Sequence, residues 1–171
     1  MTDFRNTHTI EHNPDSIIAV GCSCTYGTGV DTHETWPAQL ELSTGLPVYN
    51  FGVPGGSLDT CYRVLDTFLP AIQSRYVFVQ KPSINRRELI HFGEYMQIGH
   101  WSKQFTELLD PLEIELNERR QLHAIDNITN RYNSKLVIID FDSDGYTKGT
   151  DNSHPGPDWH KALSNKFKES I

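Results

Sequence analysis

Two short stretches hold the residue types best suited to covalent chemistry. The first is Gly21-Cys22-Ser23-Cys24-Thr25-Tyr26-Gly27, at the end of the apolar run Ile17–Val20; the second is Asp151-Asn152-Ser153-His154-Pro155, near the other end of the chain. A serine hydroxyl is a weak nucleophile, and it needs a base for its proton and donors for the oxyanion it creates. His154 is the candidate base. Asp151, three residues earlier, is close enough in a turn to accept a hydrogen bond from Nδ1, which would orient the ring and stabilise its charged form. Expected oxyanion donors are the backbone N–H groups of Ser23 and Gly55 and the side-chain amide of Asn85. Together these residues would make an acyl-transfer site. On its own, Ser23 would read as a turn residue at a strand end. His160 is a rival base, but no acidic residue stands at the three-residue offset before it. Cys22 and Cys24 are rival nucleophiles, which would require a lowered thiol pKa; small inert cysteines beside a sheet are the commoner case. Cys22-x-Cys24 has no second cysteine pair with which to build a zinc site.

For these residues to meet, the elements between them must fold back repeatedly. Ser16–Val20 is a short apolar run closed by Gly21, which predicts a buried strand. Pro47–Phe51, Tyr76–Gln80 and the run Lys135–Phe141 predict three more. Pro37–Leu42 reads as a helix, with Pro tolerated in its first turn and Gly45 as its stop. Ser57 can cap the next helix, whose Leu58, Cys61, Leu65, Phe68 and Ile72 fall on one face; Pro70 predicts a kink or an early end. Leu112 to Tyr132 has helical spacing, and 158–169 predicts a closing helix. Residues 88–100 show no clear pattern. Strands alternating with helices argue for a parallel sheet covered on both sides. The expected architecture is therefore a three-layer α/β/α domain, flavodoxin-like, with four or five strands over residues 16–171, after a polar lead-in, 1–15. In such sheets ligands bind beyond the carboxyl ends of the strands, and Ser23, Gly55, Asn85 and Asp151 each follow a different predicted strand.

The bulk properties agree with one folded domain. The chain has 171 residues, 37% hydrophobic and 22% charged, enough for a core and unlike a disordered chain. A net charge of −7 argues against nucleic acid or an anionic membrane as partner. No apolar run reaches the roughly 18 residues of a membrane span, and the polar N-terminus lacks the apolar region of a secretory signal. Three cysteines, an odd number, do not make a disulfide framework. Reduced thiols and a cytoplasmic setting are expected, with virion or later export left open. In an extended chain Cys22 and Cys24 would point to opposite sides.

These motifs carry a family resemblance. Gly21-Cys22-Ser23-Cys24-Thr25-Tyr26-Gly27 resembles the first block, Gly-Asp-Ser-x-x-x-Gly, of the SGNH (GDSL-type) hydrolases. Trp36-Pro37, thirteen residues after Ser23, resembles a pair common there in the family. "NFGVPGGS" is similar to the second block and sets Gly55 on its oxyanion glycine, and "DNSHP" matches the last block, Asp-x-x-His-Pro. The resemblance spans about Ile17 to His160. Two departures stand out. Cys22 replaces the aspartate before the nucleophile, and the third block, Gly-x-Asn-Asp, is absent as written. An ungapped reading of "KPSINRRE" puts Ile84 on the asparagine, with Asn85 one place late; a loop one residue longer would bring Asn85 into place, and Arg86 or Arg87 is the alternative donor. A missing oxyanion donor can cost about 10²–10³ in rate.

The resemblance implies a serine esterase or acylhydrolase with a Ser23-His154-Asp151 triad. It would act by acyl transfer on a small acyl ester or an acetylated carbohydrate, without cofactor or metal. The alternative is a non-catalytic module of the same fold that binds a glycan or a partner protein, a reading the altered third block favours.

Two further stretches carry competing readings. Asp140–Asp151 begins like a calcium loop, D-x-D-x-D-G, but a strand precedes it and Lys148 takes the ninth place, where an oxygen ligand is usual. Asp151 could not readily serve both calcium and His154. Arg86 and Arg87 either capture a substrate carboxylate or phosphate or are solvated and paired with Glu88. The chain's length leaves little material for a lid, so an open cleft is expected.

Overall fold

The computed structural model describes residues 4–103 and 109–171; the first three residues of the lead-in lie outside the described residues. Along the chain run β1 (Ile17–Gly21), α1 (Ser23–Tyr26), α2 (Trp36–Thr44), β2 (Val48–Gly52), α3 (Leu58–Ile72), β3 (Tyr76–Gln80), β4 (Arg87–His91), β5 (Glu94–Ile98), α4 (Pro111–Arg131), β6 (Lys135–Ile139) and α5 (Pro157–Lys168), with a 3₁₀ turn at Thr32–Glu34 before α2. β1, β2, β3 and β6 pair in parallel, in the spatial order β2-β1-β3-β6. β4 and β5 form a separate antiparallel hairpin.

Alternate residues of each strand feed opposite cores. Ile18, Val20, Phe51, Val77 and Val79 pack under α3 and α4, against Leu65, Leu69, Ile125 and Ile128. Ile17, Ala19, Val48 and Phe78 pack under α2 and α5, against Trp36, Leu40, Leu163 and Phe167. Both faces of the sheet are thus covered, which explains why β1 and β2 are buried at every position and read as continuous apolar runs. The result is a three-layer α/β/α fold.

α2 starts one residue before the expected Pro37, with Thr35 as its cap accepting from the Ala38 N–H, and stops at Gly45 (φ +73). α3 runs through Pro70 and ends two residues later, at Ile72, with Gln73 as its cap in the left-handed region (φ +54). Proline is tolerated there because Asp66, whose carbonyl loses its partner, lies on the exposed side. No helix among the described residues is long and apolar enough to cross a membrane.

Candidate active site

Ser23 stands where the strand order reverses. β1 is followed in space by β2 on one side and β3 on the other, the switch point at which parallel sheets open a crevice. The chain leaves β1 at Gly21, turns at Cys22 and enters the single turn of α1 with Ser23 as its first residue. The Ser23 N–H therefore belongs to a first turn, where N–H groups lack intrahelical acceptors. α1 is tied down from three sides. Asn50 Nδ2 donates to the Thr25 carbonyl at 3.0 Å, Trp36 Nε1 donates to Thr25 Oγ1 at 3.3 Å, and Arg5 Nη1 donates to the Gly27 and Val30 carbonyls at 2.6 and 2.9 Å. Asn50 escaped the sequence reading, although its signal is there: one amide inside the apolar run Val48–Phe51, where a buried polar group must find partners.

Asp151 and His154 meet in the loop before α5. His154 Nδ1 lies 2.5 Å from Asp151 Oδ2, while Asp151 Oδ1 accepts the backbone N–H groups of Ser153 and His154, each at 3.0 Å. The His154 ring, with these two N–H groups, holds the Asp151 carboxyl down at about 2. The loop is fastened to the one after α1. The Thr150 N–H and hydroxyl both donate to the Gly29 carbonyl, at 2.7 and 3.1 Å. Gly29 has φ +85, and a Cβ there would sit 2.7 Å from Asp151 Oδ1.

Ser23 and His154 line one cleft of about 520 Å³, together with Cys24, Gly55, Arg86, Trp101 and Trp159. Ser23 is only 7% exposed. Its Oγ lies 4.0 Å from Cys22 Sγ, and among the described residues it makes no hydrogen bond to His154. Gly55 occupies the third place of the turn Val53-Pro54-Gly55-Gly56, closed by the Gly56 N–H on the Val53 carbonyl at 2.8 Å. Pro second and a glycine third at φ +75 are the requirements of a type II turn.

Asn85 does not share this cleft; it lines a neighbouring cavity with His100, Leu109 and Ile114. Arg86 lines the cleft with Ser23. Its Nη1 is 3.5 Å from the Gly56 carbonyl, its guanidinium lies 5.5 Å from the Trp101 ring centre, and its buried Nε has no hydrogen-bond partner among the described residues. Arg87 turns back on the Ile84 and Arg86 carbonyls, at 3.0 and 2.9 Å. Among the described residues neither arginine pairs with Glu88, the pairing that one of the two readings of the sequence had. Glu88 makes a bidentate pair with Arg63 of α3, at 2.6 and 2.9 Å, because β4 turns Glu88 toward that helix, where Gln97 and Thr60 also donate to it. Burial alone would raise the Glu88 carboxyl; the bonds from Arg63 and Gln97 bring it below its ordinary value. The hairpin so anchored brings Trp101 and His100 to the cleft, neither of which the sequence reading singled out.

His160 is fully buried, behind the cleft wall, and its Nδ1 accepts the Trp36 N–H at 3.1 Å. The Asp140–Asp151 stretch does not gather as a calcium cage. Asp140 pairs with Lys81 at 3.0 Å, Asp142 accepts the Asp144 N–H at 3.1 Å and Asp151 serves His154. No group of three or more His, Cys, Asp or Glu among the described residues is placed to hold a metal ion.

The fold is that of the SGNH (GDSL-type) hydrolases. The psychrotrophic esterase EstA from Pseudoalteromonas sp. superposes with a TM-score of 0.62 at 12% identity, over 92% of this chain and 96% of its own. A member of the lipolytic protein G-D-S-L family from Veillonella parvula gives 0.51 at 16% identity, over 91% and 97%. A carbohydrate esterase family 2 enzyme with its carbohydrate-binding domain, from Corynascus thermopiles, gives 0.52 at 14% identity, over 96% and 67%. No protein-family model and no curated protein matches the sequence.

Proposed function

We propose that the protein is a serine ester hydrolase that moves the acyl group of a small ester to water through Ser23, His154 and Asp151. Ser23 Oγ attacks the carbonyl carbon while His154 Nε2 takes the hydroxyl proton. Asp151 holds the other ring nitrogen and offsets the imidazolium charge. The N–H groups of Ser23 and Gly55, with the Arg86 cation beside them, receive the oxyanion. The leaving alcohol departs with the proton from His154, and water, activated by the same ring, releases the acyl group. The reading leaves Asn85 out of the site. Its main support is that the His154 ring, fastened at Nδ1 by Asp151, lines the same cleft as Ser23. Catalytic hydrogen bonds are often long or misaligned before substrate arrives, so the Ser23 side chain has to turn from Cys22 toward His154.

The cleft, with Trp101, Phe141 and Trp159 on its walls, has the size of a small-molecule site. It suits short acyl esters, acetylated carbohydrates among them; the carbohydrate esterase above shares the fold. Three free cysteines fit a cytoplasmic setting. The test is turnover of p-nitrophenyl acetate by wild type and by Ser23→Ala, with a fall of at least about 10³-fold expected. Equal rates would overturn the mechanism. They would favour the second reading, a non-catalytic module binding a glycan or a protein, for which the contact of Ser23 with Cys22 in place of His154 speaks.

A further inference from the structure

Arg86 supports the oxyanion in the reaction above, and its surroundings equip it for a second task. The protein holds its guanidinium lightly. Nη1 reaches the Gly56 carbonyl only at 3.5 Å, the sealed Nε has no acceptor, and Nη2 has none either among the described residues. Arg63 of α3 shows the contrast, with both oxygens of Glu88 at 2.6 and 2.9 Å. That pair also takes up Glu88, the carboxylate two residues along from Arg86. Nor does the cleft supply a counter-charge. Among the described residues its titratable lining is Cys24, Arg86, His100 and His154, with no aspartate or glutamate, and Asp151 is engaged by the His154 ring. The chain as a whole carries −7. One cation kept clear of carboxylates in so acidic a protein focuses the local field on anions.

Two contacts fix where that charge sits. The guanidinium lies 5.5 Å from the Trp101 ring centre, within cation–π reach. The same ring packs over Gly55, where an added Cβ would lie 3.4 Å from it. The second contact, the Gly56 carbonyl, belongs to the next residue of the chain. The charge therefore stands at the turn whose Gly55 N–H is proposed for the oxyanion, a few bonds from where the scissile carbonyl would lie. The outer end of the guanidinium is a planar fork that matches the two oxygens of a carboxylate. Nη2 is unengaged there, and Nη1 has a second hydrogen to give.

We propose that Arg86 determines the specificity of the cleft, selecting esters that carry a carboxylate a few bonds from the scissile carbonyl, in the acyl chain or in the alcohol. Cleavage rests on the hydrolase reading; the anion site rests on Arg86 alone. A carboxylate paired with Arg86 takes up part of its charge and leaves the oxyanion mainly to the N–H groups of Ser23 and Gly55. The preference for a charged ester is therefore expressed in KM, without a gain in kcat.

Monoethyl succinate against ethyl butyrate tests a carboxylate in the acyl chain, and p-acetoxybenzoate against its methyl ester tests one in the alcohol. Hydrolysis is followed by titrating the released acid, and the readout is the ratio of kcat/KM for the charged ester to that for the neutral one. Arg86→Gln is expected to lower this ratio on the order of 10–100-fold for at least one pair, mostly through KM. Arg86→Lys, which keeps the charge and loses the fork, is expected to lower it less. Any loss of oxyanion support falls on both esters of a pair and cancels in the ratio. A ratio that Arg86→Gln leaves unchanged in both pairs would overturn the selection. Calorimetry with the uncleaved amides N-ethylsuccinamate and p-acetamidobenzoate, each against its methyl ester, reads the anion site in the wild-type protein without turnover. Tighter binding of at least one anion, lost in Arg86→Gln, is expected; equal affinity of acid and ester in both pairs would overturn the site. Absence of Ser23-dependent turnover with every ester would instead strike the hydrolase reading, with the calorimetry still deciding the anion site.

Discussion

At Asp151 one carboxylate oxygen binds the His154 ring and the other binds two backbone N–H groups. An amide can meet only half of that demand. In Asp151→Asn the side-chain oxygen can keep the backbone contacts, but an NH₂ then faces Nδ1 and favours the wrong tautomer. The expected result is a fall in kcat of about 10²–10⁴ with KM little changed, read from steady-state kinetics on a variant whose melting temperature shows it folded. An unchanged kcat would remove Asp151 from the proposed triad. Ionised Asp151 contributes in full above the ordinary carboxylate value and is lost only as pH falls toward about 2, so the ring stays oriented through the mildly acid range. The contact between Asp151 and His154 was legible in the sequence because its signal is local, an acid three residues before a histidine, and so was the place of Ser23 just past an apolar strand. That Arg86, and not Asn85, lines the cleft with Ser23 was not legible, because it turns on the phase of a loop by one residue, and no periodicity records that phase.

Among the elements, the loop after α1 is bonded to the loop that carries Asp151 and His154. Gly29 holds it through Thr150 and leaves room for Asp151 Oδ1. Gly29→Ala forces an L-residue into the left-handed region, at about 1–2 kcal/mol, and drives a methyl group at the Asp151 carboxylate. Urea unfolding is expected to show that loss, and kcat is expected to drop with it; a stability loss with full kcat would mean that this loop does not position Asp151. The sheet strands were legible as apolar runs because both faces of the sheet are covered. The β4–β5 hairpin was not, because its pattern is inverted. Glu88 and Gln97 are turned inward to Arg63 and Thr60, whereas Ile90 and Phe92 stand 72% and 94% exposed. Its turn, Phe92-Gly93, has φ +48 and +83, as a two-residue hairpin loop requires, but phenylalanine gives no turn signal at that place.

The whole molecule carries a pH liability behind the cleft wall, where the His160 ring packs edge-on against Trp159. His160 of α5 is sealed under α2, where Nδ1 accepts the Trp36 N–H and Nε2 has no partner among the described residues. Burial first, then the positive charge of Arg5, holds the imidazole at about 4, against about 6.5 in the unfolded chain. Between those values the unfolded state binds a proton that the folded state refuses, so stability rises with pH there. The contribution is complete above about pH 6.5 and is lost as pH falls through about 4, at most about 3 kcal/mol. In a domain of this size that amounts to a drop in melting temperature on the order of 10 °C. Asp151, Asp158 and Glu88, all held below their ordinary values, lose their contributions lower on the pH scale and do not mask it. His160→Asn keeps an acceptor for Trp36 and removes the titration. It is expected to melt lower than wild type at pH 7.5, because the ring leaves a void, yet to lose less on going to pH 4.5. Melting curves of the two proteins across that interval check this; parallel slopes would show that the acid sensitivity lies elsewhere.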